Sequence, residues 1–188
     1  MQHAYQLPLI ALILALLNAC YNPDKNKKVD PNTPTFSTSD QSEMFFKNVR
    51  QLFYDKIDMP AAKLEQYRIK ERPDDSTSAL IGLVLVNNWM ADEAYILVEP
   101  NAALSDMDSL QIFWRDTLTQ ATGKYDFVFG RKENHYILAN QLYHSIQEGH
   151  ELEINKGGER LPFMPLQAHR EPFRKTMVDF LRLVNVLK

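Results

Sequence analysis

Cysteine is nearly missing from this chain: one residue, Cys20, in 188. An intramolecular disulfide is therefore excluded, and so is any thiolate metal cluster, which needs several sulfur ligands. Glycine is also scarce, with six residues, and none falls in a phosphate-cradling loop, a dinucleotide fingerprint or a nucleophile elbow. No spaced Asp series of the calcium-loop type occurs either. Lys, Arg, Asp and Glu are all absent before Asp24, so the formal net charge of −3 arises entirely from the rest of the chain. That mildly acidic balance supplies no basic footprint and argues against a nucleic-acid partner.

What is present suffices for a folded body. Hydrophobic residues make up 45% of the chain and charged residues 24%, a balance that supports a core and is unlike that of disordered chains. The length suits one domain.

Leu7 to Leu17 (LPLIALILALL) is an almost unbroken apolar run, shorter than the roughly 20 residues needed to cross a bilayer. It ends in Leu17-Asn18-Ala19-Cys20. An aliphatic residue three before a cysteine and a small residue just before it resemble the lipobox of bacterial lipoproteins, and the chain's single Cys falls in register with the run. The resemblance covers residues 1–20 only. It implies a signal peptide over 1–19, cleavage before Cys20, and a diacylglyceryl thioether on that sulfur with acyl chains of the palmitate type. Two or three chains on one residue hold a protein stably on a membrane, where one binds only marginally. It further implies a bacterial cell-envelope location. Tyr21 is not the Asp that retains some lipoproteins at the inner membrane, so the outer membrane is expected, facing periplasm or exterior.

Residues 20–41 are rich in Asn, Pro, Lys, Asp, Thr and Ser. They bury too little to offset ordering entropy and read as a flexible tether of about 50 Å at roughly 3 Å per residue. Residues 42–188 read as a single α+β domain: an antiparallel sheet built on a central hairpin over 79–99, with C-terminal helices packed on one face. Over Glu43 to Arg72, helical spacing of Phe45, Phe46, Val49, Leu52, Phe53 and Ile57 competes with a hairpin turning at Asp58-Met59-Pro60, and strands are slightly preferred. Ala79 to Val86 has the pattern of a strand covered on both faces, and Glu93 to Glu99 that of its partner. Leu110 to Thr119 is expected as a short helix, Glu133 to Glu148 as a helix ending at Gly149, and His150 to Met164 as a small hairpin turning at Gly157-Gly158. A last helix carries Phe173, Met177, Phe180, Leu181, Val184 and Leu187, with Pro172 in its first turn. Phe45, Phe53, Phe173 and Phe180 are expected in the core.

Candidate chemistry is sparse. His135, His144, His150 and His169 are the imidazoles of the domain; His144 and His150, near Glu148, Glu151 and Glu153, are six apart and cannot share a helix face as two ligands would. No metal site and no cofactor is expected. Trp89, Asp92 and Glu93 form a loop suited to binding a protein or glycan partner. A competing hydrolase reading uses Asp92, Glu93 or Glu99 as paired carboxylates acting on carbohydrate.

Overall fold

The structure is a computed structural model that describes residues 29, 30 and 33–187; the leader and Cys20 lie outside the described residues. Two four-stranded antiparallel sheets share one helical layer. The chain enters through helix α1 (Asp40–Phe45), which continues through a π turn (Phe46–Arg50) and a 3-10 turn (Gln51–Phe53). A four-stranded meander follows, β1 (Tyr54–Met59), β2 (Leu64–Ile69), β3 (Ile81–Asn88) and β4 (Glu93–Pro100), paired in that order. The second sheet comprises β5 (Ser109–Arg115), β6 (Thr122–Val128), β7 (Glu151–Lys156) and β8 (Glu159–Pro162) in the order β6-β5-β7-β8. Helix α2 (Lys132–Glu148) precedes β7, and α3 (Gln167–Leu183) closes the fold. A parallel bridge between Ala79 and Phe163, with the Met164 N–H donating to the Ala79 carbonyl at 3.1 Å, joins the chain just before β3 to the chain just after β8.

The expected α+β class is what the chain adopts, with its C-terminal helices on one side of the strands. Leu83, Leu85, Ile96 and Val98 of the first sheet and Leu110, Ile112, Phe127 and Ile154 of the second meet Tyr136, Leu142, Phe173, Met177 and Phe180 in one continuous core. Helix α2 spans both sheets, packing on β4 and β6, while α3 packs on β3. Gly149 ends α2 with φ 75°, the left-handed conformation glycine adopts without strain.

Several expectations need correction. Residues 109–119 are not a helix: Leu110, Ile112 and Trp114 point inward in alternation with Gln111, Phe113 and Arg115, which is strand periodicity. Leu118, which gave the segment its helical appearance, sits 92% exposed in a turn built on the Asp116 carboxylate. The strand β6 that follows was not anticipated. The α1 to β2 region is helix first and hairpin second, and Ser39 caps the helix with Ser42. Pro172 lies six residues into α3, because Gln167 to Glu171 extend the helix upstream. Phe45 and Phe53 are exposed, whereas Phe173 and Phe180 are buried as expected. The folded body also begins before residue 42: the Thr38 N–H donates to Asp92, the Ala94 N–H donates to Phe36, and Ser37 bridges Glu93. This short pairing covers the open edge of β4, and Phe36 packs edge-on to Tyr136 at 5.9 Å, so residues 36–41 belong to the body.

Candidate functional site

The loop singled out by sequence is occupied with structural work. Asp92 takes φ 48° in the β3–β4 turn, and its carbonyl accepts from Thr38. Glu93 is ion-paired with Lys132 of α2, whose ammonium also lies 4.6 Å from the centre of the Phe36 ring. Glu99 takes a forked pair of hydrogen bonds from Arg68 at 2.7 to 3.0 Å. Glu93 and Glu99 are six residues apart on one strand, about 20 Å along it, so these carboxylates do not face each other across a cleft. Trp89 is 44% exposed beside the exposed Met90, with Lys63 over its ring at 5.8 Å.

The histidines are each engaged separately. His144 Nε2 lies 2.8 Å from the Val29 carbonyl. His135 is buried, and its Nδ1 accepts the Val98 N–H at 2.9 Å; burial holds its pKa below the ordinary value. His150 stacks on Trp114 at 4.7 Å between centroids, with Nδ1 3.1 Å from Ser145 Oγ and Nε2 3.3 Å from the Glu148 carboxylate. The serine, imidazole and carboxylate form a chain in the style of a hydrolase triad, but Ser145 is 1% exposed and shares its hydroxyl with Tyr125 at 2.8 Å. No substrate carbonyl can reach it, so the chain is an internal brace between α2 and β6. His169 lies 3.9 Å from Asp75. Among the described residues no group of three or more His, Cys, Asp or Glu is arranged to hold a metal ion, and no helix is long and apolar enough to cross a membrane.

The outer face of the second sheet carries a site that sequence reasoning missed. An open trough of about 590 Å³ lies there, lined by Phe113 and Arg115 of β5, Thr122 and Lys124 of β6, Glu151 and Glu153 of β7, and Arg160 of β8. The register explains the assembly. Phe113 stands opposite both Lys124 and Glu153, and Arg115 opposite both Thr122 and Glu151, so every outward side chain of this patch projects on one side. Its charges pair among themselves, Arg115 with Glu151 and Arg160 with Glu153 at 3.7 Å. The Arg160 guanidinium lies 3.8 Å from the centre of the Phe113 ring, a cation–π contact. Beneath the floor, Gly123 has no side chain because the Trp114 indole occupies the place of a Cβ, 2.6 Å away. The detectable signal was alternation in SLQIFWR and TGKYDFV, with Leu110, Ile112, Trp114, Tyr125 and Phe127 on one parity and, Phe113 and Val128 aside, polar residues on the other.

The trough can exchange ion pairs with a ligand carrying both signs of charge. Glu151 and Glu153, two apart on one strand, are about 7 Å from each other along it, but both are about half-exposed and ion-paired with an arginine. Neither occupies the dry apolar pocket that keeps a general acid protonated. Compared with protein-family models, with curated proteins and with solved structures, the chain matches none of them.

Proposed function

We propose that this chain is a non-catalytic lipoprotein of a bacterial cell envelope, held on the outer membrane through acyl chains on Cys20, whose domain binds a protein partner in the trough of the second sheet. The leader sequence supports the anchor. The trough carries the binding role: three cationic and two anionic side chains surround the Phe113 ring on an open face that, among the described residues, no further layer covers. A peptide segment bearing both charges can replace the internal pairs Arg115–Glu151 and Arg160–Glu153 one for one. A glycan is a poorer match, because sugar rings stack on a free aromatic face and that of Phe113 is taken by Arg160.

One observation favours a hydrolase instead. Glu151 and Glu153 stand on one face of one strand with a backbone spacing of about 7 Å, near enough for paired carboxylates of the inverting glycosidase type. Their ion pairing and exposure weigh against it, as does the dispersal of Asp92, Glu93 and Glu99.

The test is capture of partners from membranes with the full chain, comparing the wild type with Arg115→Ala/Arg160→Ala and with Trp89→Ala. The expected result is a protein lost in the trough variant and retained in the Trp89 variant. Equal recovery with all three would contradict the trough as the site. Turnover of a glycan panel that disappears in Glu151→Gln or Glu153→Gln would establish the hydrolase.

A further inference from the structure

Strand β1 is the outermost strand of the first sheet, and five of its six residues are exposed. Just before it, the Lys70 N–H donates to the Phe53 carbonyl at 2.9 Å. The register then runs Asp55 opposite Arg68, Ile57 opposite Gln66 and Met59 opposite Leu64. Hydrogen bonding alternates along an antiparallel pair, so residues 55, 57 and 59 turn their peptide groups toward β2, while Lys56 and Asp58 turn theirs outward. Among the described residues no segment pairs with that edge.

We infer that this edge pairs with the same edge of a second copy, β1 against β1 about a two-fold axis, to give a continuous eight-stranded sheet. Outward-facing residues must oppose outward-facing residues, and the registers that set the two charged ones opposite each other or themselves are three: Lys56 against Lys56, Asp58 against Asp58, or Lys56 against Asp58. Like charges directly opposite destabilise a strand pair, and unlike charges stabilise it. Only the third register sets unlike charges opposite, and the two-fold makes it do so twice.

That register is centred on Ile57. Its two symmetry-related Lys56–Asp58 positions exchange four backbone hydrogen bonds, and the two Ile57 side chains meet at the axis, where opposed Cα atoms approach to about 4.5 Å. Ile57 is 47% exposed in the single copy, so the contact removes apolar surface from water on both sides. Lys56 is equipped for a shared role. Its ammonium has three donors, and two are used within the copy, on Asp58 and Glu65 at 2.8 Å each. At the strand's start, exposed Leu52 and Phe53 come opposite the Pro60–Ala62 turn of the partner. The interface is small, so the pairing is weak and reversible, and it strengthens when both copies are confined to one surface.

Sedimentation of the detergent-solubilised full chain over a dilution series tests this. The wild type is expected to shift from monomer to dimer with concentration. Lys56→Glu and Asp58→Lys each turn two attractive contacts into two repulsive ones and should weaken the dimer about tenfold, while the exchange Lys56→Glu/Asp58→Lys restores it. Disulfide trapping gives a second readout, with the wild type as control for Cys20. Ile57→Cys should cross-link to itself and Asp55→Cys, which faces Met59 in this register, should not. A wild type monomeric throughout, a dimer indifferent to both single reversals, or cross-linking that is no faster at 57 than at 55 would overturn the proposal.

Discussion

Replacing Asp179 with alanine should be among the most damaging single changes in this domain, because α1 is fastened to the body by a polar pin as much as by apolar packing. Asp179 lies on α3 and is 2% exposed. It accepts from Arg50 Nε and Nη2 at 2.8 and 3.0 Å and from the Tyr54 hydroxyl at 2.7 Å. Burial, and then the neighbouring Asp179 charge, raise the Tyr54 pKa, so the phenol stays a donor at any physiological pH. Removing one partner of a buried ion pair costs about 3–5 kcal/mol. Arg50 retains partial access to water, so the lower end of that range, about 3 kcal/mol, is expected for Asp179→Ala. Asp179→Asn keeps an acceptor for Tyr54 and should cost about half as much. Phe45→Ser, on the opposite and exposed side of α1, should change stability by less than about 0.5 kcal/mol. Urea unfolding of the four proteins, compared at similar m values, reads this directly. A cost below about 1 kcal/mol for Asp179→Ala, or an equal cost for Phe45→Ser, would refute the assignment of inner and outer sides of α1.

Gly123→Ala forces a methyl group into the Trp114 ring at 2.6 Å, and that ring is backed by His150. A loss of about 1–3 kcal/mol with an altered near-ultraviolet Trp signal is expected, and an unchanged signal would show that the ring moves freely. Burial keeps His135 neutral by lowering its pKa from the ordinary value of 6.5. The unfolded chain therefore takes up that proton first as pH falls, and stability is lost from about pH 6.5 down toward the folded pKa. In His135→Gln that component should vanish, so unfolding free energies of the two proteins should converge as pH drops from 7 to 5; parallel curves would contradict it. Cys20→Ala should move the protein out of the membrane fraction, with loss of the acyl mass seen by intact mass spectrometry on the wild type, whereas unchanged membrane retention would count against the anchor.

The parts of the fold legible in the sequence were those with one dominant pattern. ALIGLVLV and EAYILVE read as strands and the stripe from Phe173 to Leu181 as a helix, although that helix ends at Leu183 and leaves Val184 and Leu187 beyond it. The second sheet was obscured because Leu118 completes a false helical stripe with Leu110 and Trp114, and because β6 offers only Tyr125 and Phe127 as inward residues around Gly123. Helix α1 misled in another way. Its apolar residues are real but mostly face outward, and the residues holding it down, Ser42 and Arg50, look like surface residues until Leu183 and Asp179 are placed beside them. The trough was hidden for a related reason. Its side chains come from four strands spread over residues 113–160 and acquire meaning only through register. Trp89, Asp92 and Glu93 were visible because they fall within five consecutive residues, which is a weaker guide than adjacency across strands.

A photoreactive residue placed at Lys124 of the full chain, in its native envelope, reads out whether the trough of the second sheet holds a protein partner. One discrete protein adduct is expected, diminished by Arg115→Ala/Arg160→Ala and absent when the probe sits at Gln66 on the outer face of the first sheet. Adducts of equal yield at both positions, or none at Lys124, would contradict it.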